Sequence, residues 1–155
     1  MKLSLNWIRN FIDLPLSAKE IGEKITIHTA ELEEIIETKA LFSQIVVGKL
    51  LEIKPHSKSD NLHIGTFDIG GTTKQIVFGN VHPLTIQKNY PLALDGTILP
   101  GNITIKNNSI KGEKSEGMVC HNGELGMKNT QLMNFSESSV GKTLAEVSEI
   151  FTDEL

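Results

Sequence analysis

The sequence has a single cysteine, Cys120, which excludes an internal disulfide and any multi-cysteine zinc site and suits a reducing compartment. Aromatic residues make up only 5%. The stacking platform by which general single-strand binders hold successive bases is therefore poorly supplied. No run approaches the roughly 18 consecutive apolar residues of a membrane span, and the opening Met1–Trp7 has no apolar stretch leading to a small-residue cleavage site. A cytoplasmic location without membrane contact is the expectation. A Gly-x-x-x-x-Gly-Lys-Ser/Thr phosphate loop is also missing, so ATP chemistry has no visible home. Gly141-Lys142-Thr143 matches only the tail of that motif, and a helix start accounts for it more simply.

Charge of one sign is not lacking, but it is uneven. The net charge is −4, which by itself opposes nucleic-acid binding. Residues 1–39 hold 5 basic and 7 acidic side chains, residues 40–112 hold 7 and 4, and residues 113–155 hold 3 and 8. A mildly basic middle thus lies between acidic flanks, and its basic residues are all lysines. Lysines without a dense patch imply modest phosphate affinity that falls with salt. The 39% hydrophobic content is enough for the core of one ordinary domain, or of a small barrel with an appendage.

Leu5, Ile8, Phe11 and Ile12 recur at helical steps and predict an amphipathic first helix broken by Pro15. Ser17-Ala18-Lys19-Glu20 is a capping box that opens a second helix, to about Ile25. Leu32, Ile35 and Ile36 between glutamates fit a strand or an exposed helix equally well. From Ile45 the texture changes to short β-branched runs punctuated by glycine, proline and asparagine. The runs predict strands at Ile45–Ile53, Leu62–Ile69, Gln75–Phe78, Tyr90–Leu94 and Ile103–Ile110, with a shorter piece at Gly117–Cys120. Gly70-Gly71 marks a tight hairpin. Gly141–Val147 reads as a helix start with Leu144, Val147 and Ile150 on one side, followed by an acidic end over residues 151–155.

Two catalytic or metal constellations come into question. His56, Asp60 and His63 lie within eight residues and are of metal-ligating type, but a closed site needs further ligands, and none is clustered elsewhere. Pro55 is expected to stop the first strand and Asp60 to cap the loop that follows. A serine hydrolase would recruit Ser115, Asp95 and a histidine, yet Ser115 lacks the glycine-flanked nucleophile elbow. No catalytic residue and no metal or cofactor site is expected in this chain.

The most informative segment is Ile103–Cys120. Lys111-Gly112 followed by Ser115-Glu116-Gly117-Met118-Val119-Cys120 resembles the signature of the tRNA-binding OB modules found in the phenylalanyl-tRNA synthetase beta subunit, in some methionyl-tRNA synthetases and in free-standing tRNA-binding proteins. Two further blocks agree in order. Val46–His56 with Ser59, Asp60 and Leu62 resembles the family's first strand and loop, and Tyr90–Leu94 with Gly96 and Leu99-Pro100-Gly101 resembles its fourth strand and turn. The amino-terminal Met1–Ile8, Phe11-Ile12 and Leu16-Ser17 resemble the opening of the bacterial-type synthetase beta subunit.

The resemblance implies a mainly β fold, a five-stranded OB-fold barrel at 40–150, preceded by a short α/β segment at 1–39 that downstream chain would complete. It implies a noncatalytic tRNA-binding module that supports attachment of phenylalanine to tRNA, with ATP and magnesium used elsewhere in the synthetase. Its partners would be tRNA, the alpha subunit and the remainder of the beta subunit, and separation from them would favour self-association. The alternatives are a subunit-packing domain with little RNA contact, and a free-standing tRNA-binding protein. On OB geometry, Lys54, Lys58, Lys106, Lys111 and Lys114 are the expected phosphate ligands, and Asn80 and Ser115 the expected hydrogen-bond donors. The sequence departs from the family after Gly79, at Ser57 in place of the usual proline, and at the neutral Asn107 and Asn108. Weaker RNA affinity than that of the family's dedicated binders follows.

Overall fold

The computed structural model describes residues 5–9, 11–29, 31, 41–79, 83–127 and 131–147. The chain divides into two compact units, Met1–Glu37 with Glu149–Leu155, and Thr38–Ser148. Leu32, Ile35, Ile36, Ile150, the acidic end and Asn80 lie outside the described residues, as does the side chain of Trp7.

The first unit holds α1 (Leu5–Arg9) and α2 (Ala18–His28). The apolar stripe outlasts its helix. α1 ends at Arg9, the Phe11 and Ile12 amides turn back to the Ile8 carbonyl at 2.9 and 3.2 Å, and Arg9 Nη2 donates to Leu16 O at 2.7 Å across the following loop. Phe11 and Ile12 are left 69% and 53% exposed. The capping box is formed: Ser17 Oγ accepts from the Glu20 amide at 3.3 Å, and the Glu20 carboxylate accepts from the Ser17 amide at 2.8 Å. α2 continues past Ile25 because Thr26 turns its hydroxyl back onto Gly22 O, 3.0 Å away, and so stays compatible with a helix interior.

The second unit is mainly β. Its strands are β1 (Ile45–His56), β2 (Ser59–Asp68), β3 (Thr73–Gly79), β4 (Asn89–Leu94), β5 (Ile98–Leu99), β6 (Ile103–Thr104), β7 (Asn108–Ile110), β8 (Glu113–Ser115) and β9 (Gly117–Val119). Five of them form an antiparallel sheet in the order β3-β2-β1-β4-β9, and β5-β6 and β7-β8 are separate hairpins. The ladder is not closed. A 3-10 turn (Glu137–Ser139) and the short helix α3 (Leu144–Val147) follow. Leu50, Phe67, Ile76, Tyr90, Leu92 and Val119, drawn from all five sheet strands, pack as one buried cluster.

Three features depart from the sequence reading. The run Ile103–Ile110 is not one strand. Ile105 exchanges backbone bonds with Gly96 and Thr97, and the Asn107 amide donates to Asp95 Oδ1 at 2.8 Å, which diverts the chain between β6 and β7. The fifth sheet strand is instead the short Gly117–Val119 piece. Nor does Pro55 stop β1. It pairs with His63 next to an irregularity in the ladder, and β4 pairs with β1 only as far as Lys49, so the missing N–H costs no ladder bond on that flank. Asp60 lies exposed within β2 and is not the loop's cap. The Gly70-Gly71 hairpin is present, with both residues at positive φ and both amides donating to Asp68 Oδ1 at 2.9 and 3.0 Å.

The two outer edges of the sheet approach each other. Glu116 N donates to Gln75 O at 2.8 Å, Gln75 Nε2 to Lys114 O at 2.8 Å, and Val77 N to Ser115 Oγ at 3.0 Å. Along β1 a different strip is laid down: Gly141 N donates to Val47 O at 2.8 Å and Val47 N to Lys142 O at 2.9 Å, with Thr143 bridged to Val46.

Candidate nucleic-acid interface

Two turns meet at one end of the second unit. The first joins β1 to β2 through Ser57-Lys58, because His56 pairs directly with Ser59. The second joins β7 to β8 through Lys111-Gly112, with Ile110 opposite Glu113. Lys111 and Gly112 have φ of 49° and 97°, the positive values that a type I′ hairpin turn requires at both central residues.

His56, only 5% exposed, ties the turns together. Its Nδ1 accepts from the Lys58 amide at 3.0 Å and its Nε2 lies 2.9 Å from Ile110 O. An Nδ1 that accepts leaves the ring proton on Nε2, so the imidazole is the neutral tautomer donating to Ile110. Both nitrogens are thereby committed within the protein, and a metal has no lone pair to take. The partner histidine of that idea, His63, stacks instead on Phe78 with ring centroids 5.9 Å apart.

The lysines cross the seam in opposite directions. Lys111 Nζ donates to Ser59 Oγ at 2.9 Å. Lys58 Nζ lies 3.1 Å from where a Cβ would stand on Gly112, so each ammonium reaches the residue that follows the other lysine. Ser57 Oγ and Glu113 Oε1, 3.4 Å apart, flank them. Among the described residues neither ammonium has a carboxylate within ion-pairing distance.

The other expected ligands are spread out. Lys54 pairs with Glu52 at 3.0 Å and Lys114 with Glu116 at 3.0 Å, while Lys106 stands exposed between β6 and β7. Lys74, which the sequence reading passed over, lies 3.5 Å from the same Glu116 carboxylate. The Lys114 ammonium and then the Gln75 amide hold the Glu116 carboxyl below its ordinary value. Ser115 is withdrawn from the RNA-facing set: it is 2% exposed, its oxygen accepts from Val77 N and its hydroxyl donates to Gly117 O at 3.0 Å. Gly117 is required because a Cβ there would stand 2.5 Å from the Ala93 carbonyl oxygen. Burial pushes the Cys120 thiol up to about 12, which makes it inert as a nucleophile.

The family model for a tRNA binding domain, tRNA_bind, matches residues 45–142, from the first residue of β1 to the strip laid along it. This chain belongs to that family. The chain is 32% identical over 152 residues to the phenylalanine–tRNA ligase beta subunit of Clostridium acetobutylicum, covering 95% of this chain and 19% of that protein. It is 38% identical over 128 residues to the beta subunit of Nitratidesulfovibrio vulgaris, covering 82% and 16%. The chain thus spans about a fifth of the length of the curated relatives it matches. Among solved structures, a MetRS related protein from Pyrococcus horikoshii superimposes with a TM-score of 0.51 at 16% identity, over 71% of this chain and 97% of that one. That likeness concerns the fold alone.

The family's Ser-x-Gly signature is therefore structural here, since Ser115 and Gly117 bring β9 onto β3 and β4. The organising role of His56 was not legible, because a histidine beside a proline in a polar stretch carries no sign of a distant partner such as Ile110. Lys111-Gly112 did carry a signal, as a glycine-containing dipeptide between two short β-prone pieces.

Proposed function

We propose that this chain is a noncatalytic tRNA-binding module of a phenylalanine–tRNA ligase beta subunit. The observation that carries the reading is the coincidence of the family match with the β unit, one end of which bears the Lys58 and Lys111 ammoniums without carboxylate partners among the described residues. Attachment of phenylalanine to tRNA, with its ATP and magnesium, belongs to the larger synthetase, and the alpha subunit and remaining beta-subunit chain are the protein partners, in the cytoplasm. The sheet is read as an OB-type barrel whose last seam, β3 against β8–β9, is fastened by the bonds of Gln75, Val77, Ser115 and Glu116 rather than by a regular ladder. Lys54, Lys58, Lys106, Lys111 and Lys114 are its phosphate-facing side chains, with Asn80 a donor.

A tRNA titration across salt concentrations tests this. The logarithm of the binding constant should fall linearly with the logarithm of salt, and Lys111→Ala should reduce the slope by about one unit or less. The net charge of −4 and the ion-paired Lys54 and Lys114 favour a second reading, a subunit-packing element with little RNA contact. A titration with no salt-dependent binding would decide for that reading.

A further inference from the structure

We propose that Lys58 and Lys111 together form one seat for a single backbone phosphate of the RNA, at the seam of the β1–β2 and β7–β8 turns. The inference rests on the RNA-binding reading above and goes further by turning separate lysines into one paired site. Three observations carry it.

The first is the crossing itself. Lys111 Nζ sits on Ser59 Oγ and Lys58 Nζ over Gly112, so two like charges are brought onto one short seam. Such a pair repels, and an anion seated between the ammoniums converts the repulsion into attraction. Lys49, Lys54, Lys74 and Lys114, by contrast, are already paired with carboxylates. At the seam Glu113 Oε1 accepts instead from Ser57 Oγ, 3.4 Å away.

The second is backbone cost. Lys111 holds a φ of 49°, a left-handed conformation that asparagine or glycine adopts more cheaply. A lysine kept at such a position is explained by its ammonium. Gly112, with its own φ of 97°, also leaves open the space the Lys58 ammonium occupies.

The third is rigidity. His56 bonds one turn at Lys58 N and the other at Ile110 O, so the spacing of the two turns that carry the lysines is set by a buried ring. Turns held in this way need no ordering of their backbone when an anion binds.

The test uses the 155-residue chain with Lys58→Gln, Lys111→Asn and the double variant, and Lys19→Gln as a control for loss of one charge from the helical unit. Asparagine tolerates positive φ, so Lys111→Asn should keep or raise the melting temperature while removing the charge. One phosphate contact contributes about 0.9 to the salt slope on B-form duplex DNA and about 0.7 on a single strand, and a contact on tRNA is taken on that scale. If the lysines share a phosphate, each single variant lowers the slope by clearly less than that, and the double variant lowers it by about one contact in all. Lys19→Gln leaves it unchanged.

A double variant that loses two full contacts, with each single variant losing one, would place the lysines on separate phosphates and overturn the shared seat. So would single and double variants that all keep the parent slope. In a second arm, the amide signals of Ser59 and Gly112 should shift with tRNA and with inorganic phosphate in the parent chain, and with neither in the double variant. Shifts with inorganic phosphate alone would make this a site for small anions and overturn the RNA assignment. If the parent chain shows no salt-dependent tRNA binding, the functional reading itself fails, and the phosphate arm still decides whether the paired seat exists.

Discussion

Ser115 is a buried hydroxyl with both of its bonds used, one from the Val77 amide and one to the Gly117 carbonyl. Ser115→Ala would strand both backbone groups at the point where β3 meets the β8–β9 segment. A loss of about 1–3 kcal/mol in denaturant unfolding is expected, with the salt slope of tRNA binding unchanged. Glu116 beside it is a charged counterpart. Its folded-state carboxyl lies below the ordinary value of 4.5 because Lys114 and the Gln75 amide hold the ionised form. A depressed carboxylate contributes stability that is present above its unfolded value and lost as pH falls through its folded one. The melting temperature of Glu116→Gln should therefore lie below that of the parent at neutral pH, and the two should converge below pH 4.5. Persistence of the full difference in acid would show that packing, not charge, sets the effect.

At the scale of elements, α2 begins where it does because Ser17 and Glu20 satisfy each other's amides. Ser17→Ala should speed hydrogen exchange of the Glu20 amide by roughly fivefold, the ratio that loss of an ordinary N-cap produces. The start of α2, the Gly70-Gly71 hairpin and strands β1–β4 could be read from the sequence because each is written in local chemistry: a capping box, a pair of positive-φ glycines, β-branched runs. The fate of Ile103–Ile110 was not. Its side chains alternate well enough for a strand, and what divides it is a set of bonds to Gly96, Thr97 and Asp95. Pro55 misled for a similar reason. Its tolerance depends on β4 having already parted from β1, a fact of sheet geometry. The candidate site divides along the same line: its lysines were expected from the geometry of the OB fold that the resemblance implies, but their convergence depends on a buried histidine reaching a carbonyl on another hairpin.

At the scale of the whole molecule, both units leave some large apolar side chains exposed, Ile98 and Ile103 in the β unit among them. The β unit closes over its own cluster of six buried side chains. In the helical unit Ile12 and Ile27 are 53% and 74% exposed, and we predict self-association through these side chains. Sedimentation velocity should show a concentration-dependent rise in mass, reduced by Ile12→Ser with Ile27→Ser. A monomer at all concentrations would remove the expectation.

The strip Gly141–Thr143 along β1 has a practical consequence for anyone excising the β unit as a recombinant module. Val47 exchanges both of its main-chain bonds with that strip, and Gly70 packs so closely on Gly141 that a Cβ on either would stand 2.9 Å from the other's Cα. A truncation at Cys120, where the recognisable signature stops, would unzip this border and offer β1 to the corresponding border of a neighbouring molecule. The shortest well-behaved version should therefore retain the chain through Thr143, and a shorter one should recover solubility when a synthetic peptide spanning residues 136–147 is supplied in trans.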